Sequence, residues 1–226
     1  MIYEAVLADR LRFEKELKET GILIADNHLT DLIPAYHSLT LIFHHAIKNE
    51  KVLIKNLKKI YSSITLDEGI VTQLLTIPVC YDPQIAPDLY AYSEKKCMSI
   101  DEIVALHTAN SYQVYFIGFM PGFLYLGGLD ERLHCARKAA PELHLPKGAV
   151  AIGGEQTGVY PQESPGGWHV IGISPVNFFN PLQDPVCFAA AGDHVKFESV
   201  DFDEFQQIKL QVEQGEYAVK SEVWNA

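Results

Sequence analysis

Glu155, Gln156 and Thr157 stand in a row between Gly154 and Gly158, offering a carboxylate, an amide and a hydroxyl side by side. Such a set suits an amide-bearing ligand, recognised by paired donors and acceptors, if the backbone curves enough to turn the three toward one cleft. A solvated turn is the competing reading. Tyr160, beside Pro161, can line a pocket, whereas Trp168 reads as a core aromatic. Arg137 and Lys138 lie in a segment without periodicity, hence on a loop. From there an arginine fork can grip a carboxylate or phosphate, although most surface cations do nothing of the kind. His107 ends an expected helix, where a histidine usually complements the dipole; it would serve as general acid or base if its ring faced a cleft.

Several chemistries are excluded by spacing. Gly148 and Gly153 have P-loop separation, but Gly154 and Glu155 follow where Lys and Ser/Thr are needed. The run GGEQTG (153–158) is not GxGxxG, and no GxSxG occurs. Cys80, Cys97, Cys135 and Cys187 are scattered, without a CxxC or a zinc-type Cys/His pair, and none has the setting of a nucleophile. They read as reduced thiols of a cytoplasmic protein. No metal site is expected.

The elements that must carry these residues follow from the glycines. Eleven of the fifteen fall between Gly118 and Gly172, interleaved with Tyr115, Tyr125, Tyr160 and Trp168. Glycine at that density marks tight turns and close backbone approach, here in a β-rich wall with a shaped cavity. The chain has 226 residues, 48% hydrophobic and 21% charged, which is globular. A net charge of −11 argues against nucleic acid or anionic membrane as partners. The span 115–175 carries a net of only −1, so an anionic ligand is tolerated best there. No apolar stretch approaches the ~20 residues of a membrane span, and the N-terminus lacks a signal peptide's apolar core.

Periodicity predicts a helix over 3–20, strands at 31–36 and 38–44, a helix over 49–64 and a strong strand at 72–82. That order is most of a split βαβ, ferredoxin-like unit lacking its first strand. Pro83 and Pro87 place a boundary near 82–86, giving domains 1–84 and 85–226. Helices are expected around 87–97 and 100–108, the second with a Ser99/Glu102 capping box. Short β runs follow at 112–119, 149–153, 168–174, 176–180 and 194–200, suggesting a closed or sandwiched β architecture. A helix over 202–213, capped by Asp201, and a strand at 216–220 complete the chain.

Ordered motifs then point to a family. IPVCY (77–81), APDL (86–89), SIDEIVALH (99–107), YFIGFMPGFLYLGGLD (115–130), AIGGEQTGVYP (151–161), SPGGWHVIG (164–172) and AGDHVKF (191–197) resemble the KipI / allophanate hydrolase subunit 1 family. Its bacterial members are mostly named as the B-subunit of 5-oxoprolinase (PxpB). The resemblance implies an α+β chain with a small N-terminal ferredoxin-like α/β domain and a cyclophilin-like β-barrel. It also implies ATP-dependent opening of 5-oxo-L-proline to L-glutamate, with ATP and Mg2+ as cofactors and two partner proteins, the KipA-like PxpC and PxpA. Within the family the alternatives are inhibition of sensor histidine kinase autophosphorylation, or work in another amide- or urea-metabolising complex. Carried onto this chain, the resemblance assigns Arg137 and Lys147 to anions, Gln156 and Thr157 to the lactam edge, and His107 to proton movement. Glu155, Tyr160, Gly153 and Gly154 complete the expected substrate site. The chain departs from the family at Cys135-Ala136-Arg137, where members read Thr-Pro-Arg. Lys147 and Ala149 replace a usual Ala and Ser, and members open with a strand before the first helix.

Overall fold

In a computed structural model that describes residues 10–17, 23–24, 27–36, 38–63 and 71–224, the chain divides into two units, Met1–Ile70 and Val71–Ala226. Helix α1 (10–17), strands β1 (Leu23–Ile24), β2 (Asn27–Pro34) and β3 (Leu39–Phe43), and helix α2 (Glu50–Ser63) form the first. Its strands make an antiparallel sheet in the order β1-β2-β3. Buried Leu17 and Leu53 hold it together with Phe13, Leu32, Leu41, Leu57 and Ile60 packed around them. Leu53, Leu57 and Ile60 recur at three- and four-residue spacing, so α2 presents one apolar stripe. The strand expected to be missing before the first helix falls outside the described residues.

The second unit holds β4 (Thr72–Cys80), α3 (Leu89–Lys96), α4 (Ile100–Ala109), β5 (Ser111–Ile117), β6 (Leu124–Gly127), β7 (Glu142–Leu145), β8 (Ala149–Gly153) and β9 (Gln156–Val159). It continues through β10 (Ser164–Gly166), β11 (His169–Ile173), β12 (His194–Val200), α5 (Phe202–Gln214) and β13 (Lys220–Trp224). Seven strands pair in the order β11-β8-β9-β6-β5-β12-β4, and an Ile173–Cys80 pairing between β11 and β4 closes them into a barrel. Strand β13 adds to β4 outside that ring, and β7 and β10 pair separately. The expected α+β class and β-barrel are therefore present.

Strand β4 corrects the domain reading. Expected to complete the small domain, it instead runs parallel to β12 from Leu74 to Cys80 and antiparallel to β13. The break lies between residues 70 and 71, not near 84. The Pro-flanked turn after Tyr81 leads from β4 into α3 within one unit, so proline marks a turn here and not a linker. A run buried on both faces shows that a strand is central without showing which sheet it joins.

Side chains alternate with the period of two that strands impose. Leu124, Leu126, Val150, Ile152 and Val159 belong to the main core with Ile77, Val79, Val195 and Phe197. Their neighbours Ala149, Ala151 and Tyr160 join a second cluster with Phe123, Leu145, Trp168 and Phe205, on the opposite face of the wall. The α4 capping box forms as expected: Ser99 Oγ accepts from Glu102 N at 3.2 Å, and Ser99 N donates to Glu102 Oε2 at 2.8 Å. Asp201 caps α5 through Glu204 N at 2.8 Å. Residues 176–180 are not a strand, although Val176 and Phe178 are buried. The final strand is 220–224, not 216–220. No helix among the described residues is long and apolar enough to cross a membrane.

Candidate functional site

His107, expected to move protons in a cleft, faces none. Its ring is fully buried and stacks on Phe197 with centroids 4.7 Å apart. Thr157 Oγ1 donates to Ala151 O at 3.2 Å and so accepts from His107 Nε2–H at 2.9 Å. The other ring nitrogen, Nδ1, then accepts from the Tyr81 hydroxyl at 2.7 Å. Every polar atom of the chain Tyr81–His107–Thr157–Ala151 has a partner, as a buried network requires. Burial pulls the His107 pKa down to about 3, so the ring is neutral. Thr157, assigned to the lactam edge, is likewise fully buried, because position 157 of β9 points into the barrel. Both residues tie α4 to the barrel interior.

The cleft lies on the wall's other face. It encloses about 290 Å³ and is lined by Phe119, Phe123, Tyr125, Arg137, Tyr160 and Trp168, with Pro141, Pro165, Gly166 and Gly167 at its edge. Glycine makes it possible at two places. A Cβ at Gly153 would lie 2.4 Å from Trp168 Cδ1, and one at Gly158 would lie 2.8 Å from Leu124 O and 3.1 Å from Trp168 Cζ3. The indole therefore rests on strands β8 and β9 where no side chain intervenes. Phe123 underlies the cleft, with Trp168 at 78° and Tyr160 at 83° to its ring, the edge-to-face arrangement aromatic pairs prefer.

Arg137 lies over the Trp168 ring, its Cζ 5.6 Å from the centroid, a geometry worth about 0.5–1 kcal/mol at an exposed site. The neighbours of both residues set this pairing. Cys135 exchanges two backbone hydrogen bonds with Gly154, at 3.0 and 2.7 Å. His169 Nε2 donates to Ala136 O at 3.0 Å, and Lys138 N donates to Gly167 O at 2.7 Å. Residue 137 is thus brought opposite residue 168. Lys138 is not a second ligand cation: its ammonium is held by both Asp88 oxygens at 2.7 Å and by Glu142. Burial opposes that charge, and the bonds to Asp88 and Glu142 outweigh it, leaving the pKa raised. Asp88 Oδ2 also accepts from Val170 N at 2.7 Å, joining the Arg137 loop to β11.

Tyr160 supplies the polar group inside the cleft. The residue is 2% exposed and lines the cleft. Burial pushes its pKa up to about 12 despite the opposing pull of Arg137, so at neutral pH it is a hydrogen-bond donor. The expected site is thus partly gathered. Arg137 and Tyr160 line the cleft, and Gly153 supports the indole. Gly154, with φ +71°, and exposed Glu155 form the β8–β9 turn, and half-buried Gln156 follows on β9. None of these three is in the lining. Lys147 is elsewhere, on a separate cavity of about 770 Å³ between residues 176–188 and the end of α5.

Trp168, which reads as core from sequence, is the cleft's main wall. Phe119, Phe123 and Tyr125 join it without having been expected there, although the motif FMPGFLY contains all three. Two-residue alternation along 123–126 separates Tyr125 from Leu124 and Leu126, a signal available from sequence once β6 is recognised.

With this geometry, similarity to known proteins is specific. The family model described as carboxyltransferase domain, subdomain C and D, matches residues 2–189. The 5-oxoprolinase B-subunit of Bacillus subtilis (strain 168) is 35% identical over 190 residues, 79% of each chain. That of Escherichia coli O157:H7 is 36% identical over 170 residues, 75% of this chain and 78% of its own. The crystal structure of TTHA0988 superposes with a TM-score of 0.72 at 30% identity over 88% of this chain, which spans 37% of that longer protein. The K. lactis urea amidolyase, at 17% identity and a TM-score of 0.78, covers 97% of this chain and 15% of its own, and shares the fold. The chain belongs to the carboxyltransferase subdomain C and D family, among the 5-oxoprolinase B-subunits.

Proposed function

We propose that the chain is the PxpB component of an ATP-dependent 5-oxoprolinase, cleaving 5-oxo-L-proline to L-glutamate in the cytoplasm together with the KipA-like PxpC and with PxpA. One observation carries the placement of the substrate: among the described residues Arg137 is the only charged side chain lining a small aromatic cleft that Tyr160 also lines. A five-membered lactam acid has the complementary parts. Its carboxylate suits the Arg137 fork, its flat ring suits the indole face, and its amide carbonyl accepts from Tyr160. The volume, at the low end for ligand sites, selects a small molecule.

Opening the ring breaks a stable amide C–N bond and adds water across it. Charge grows on the carbonyl oxygen as it reacts, and a fixed donor there lowers the barrier. Tyr160, neutral and in the lining of the cleft, is such a donor. Phosphate binding does not fit the glycine-rich run. Gly148 N donates to Tyr160 O and Gly154 N to Cys135 O, so these amides are committed to backbone partners. ATP and Mg2+ are proposed as cofactors of the assembled complex.

The test is reconstitution. PxpA, PxpC and this chain, purified together, should form glutamate from 5-oxo-L-proline and consume ATP only when all three are present. Arg137→Ala should lower kcat/KM at least about 100-fold without dissociating the complex, as expected for loss of a charged bidentate contact. Turnover indifferent to Arg137→Ala would move the substrate away from this cleft. Absence of turnover by the full complex would reject the function.

A further inference from the structure

Phe119 stands at the mouth of the cleft in a backbone conformation that disfavours it. Its φ is +65°, in the left-handed region that β-carbon sterics close to bulky residues, and its side chain is 64% exposed. The turn that carries it is anchored. Gly118 N donates to Phe123 O at 3.2 Å, Met120 N to Gly118 O at 2.8 Å and Phe123 N to Met120 O at 3.1 Å. Gly122, at φ +84°, is pressed against Phe178 and Phe179, where a Cβ would come within 2.7 Å of Phe179 Cβ. Glycine at 119 would avoid the strain, and the exposed ring gains little packing in return. The ring does one thing: it stands edge-on to Phe123, 5.6 Å away at 87°, on the rim of the cleft that Trp168 also borders. Strain kept at a ligand-binding rim, with no compensating burial, points to a partner that arrives with the ligand.

We infer that Phe119 is the specificity-determining wall of the cleft, covering the apolar face of a bound five-membered lactam and excluding larger rings and open-chain amides. This rests on the 5-oxoproline reading above. A hydrophobic wall discriminates by about 10- to 200-fold for a change of one methylene, which sets the scale of the effect.

The experiment compares Phe119→Gly and Phe119→Ala in the reconstituted three-protein complex. Substrates are 5-oxo-L-proline, its six-membered lactam homologue and L-glutamine. In both variants KM for 5-oxo-L-proline should rise about tenfold or more with kcat little changed, and the preference over the six-membered lactam should shrink in proportion. Phe119→Gly should melt at or above the parent and about 2–4 °C above Phe119→Ala, because glycine relieves the backbone. A parent complex that turns over 5-oxo-L-proline while Phe119→Gly keeps its KM and selectivity overturns this inference alone. So does Phe119→Gly melting well below the parent, which would make the ring structural. Loss of complex assembly on gel filtration would overturn it too, assigning the ring to a contact with a partner protein. A parent complex without turnover removes both this inference and the function beneath it.

Discussion

A neutral imidazole in the barrel interior makes stability depend on pH in one direction. His107 titrates at about 3 in the folded chain because burial disfavours its charge, against 6.5 when unfolded. Between those values the unfolded chain binds a proton that the native chain refuses. Its contribution is therefore complete above pH ~6.5 and is lost as pH falls toward 3, by up to about 1.4 kcal/mol per pH unit. Urea unfolding between pH 7 and pH 4 should show this slope, and His107→Gln, which cannot titrate, should flatten it. Equal slopes would mean that the ring is not held neutral. At the same scale Gly153→Ala drives a methyl into Trp168, at a cost of about 1–3 kcal/mol for overpacking. Its melting temperature should drop and its tryptophan fluorescence should shift as the indole leaves its bed. An unchanged spectrum would mean that the indole does not rest on that glycine.

The staple around residues 135–138 is the element on which the cleft depends. Asp88, at the start of α3, binds Lys138 and the backbone of Val170 together, so Asp88→Ala leaves an ammonium and an amide without their partner. A loss of about 2–4 kcal/mol is expected by chemical denaturation, with weakened 5-oxoproline binding because Arg137 no longer stays opposite Trp168. Full stability in Asp88→Ala would show the pair to be expendable. Local grammar makes some of this readable: Ser99/Glu102 and Asp201 announce two helix starts, and the glycine density announces a shaped wall. The strands β6, β7, β9 and β10 escape a sequence reading because runs of three or four residues are too short to set their alternation apart from a loop. Arg137 over Trp168 joins residues far apart in sequence through registers that no local pattern encodes. His107 ends its helix as expected, but the direction its ring takes depends on Tyr81 and Thr157, each brought to it by the barrel.

Among the described residues, burial is concentrated in the second unit. Ile77 and Val79 on β4 are fully buried, whereas Ile33 and Ile42 on β2 and β3 are 49% and 39% exposed. Amide hydrogen exchange should therefore leave β4 and β12 protected longest while β2 and β3 exchange by local opening, orders of magnitude sooner. Equal protection in the two sheets would contradict that difference. The parallel pairing of β4 with β12 has a further effect, on synthesis. Gln73 N reaches Asp193 across 120 residues, and β12 and β13 flank β4 from beyond that point. A nascent chain emerging from the ribosome must carry β4 with its edges largely unpaired until residues 194–224 appear. Chains stopped short of His194 should accordingly clump or recruit chaperones.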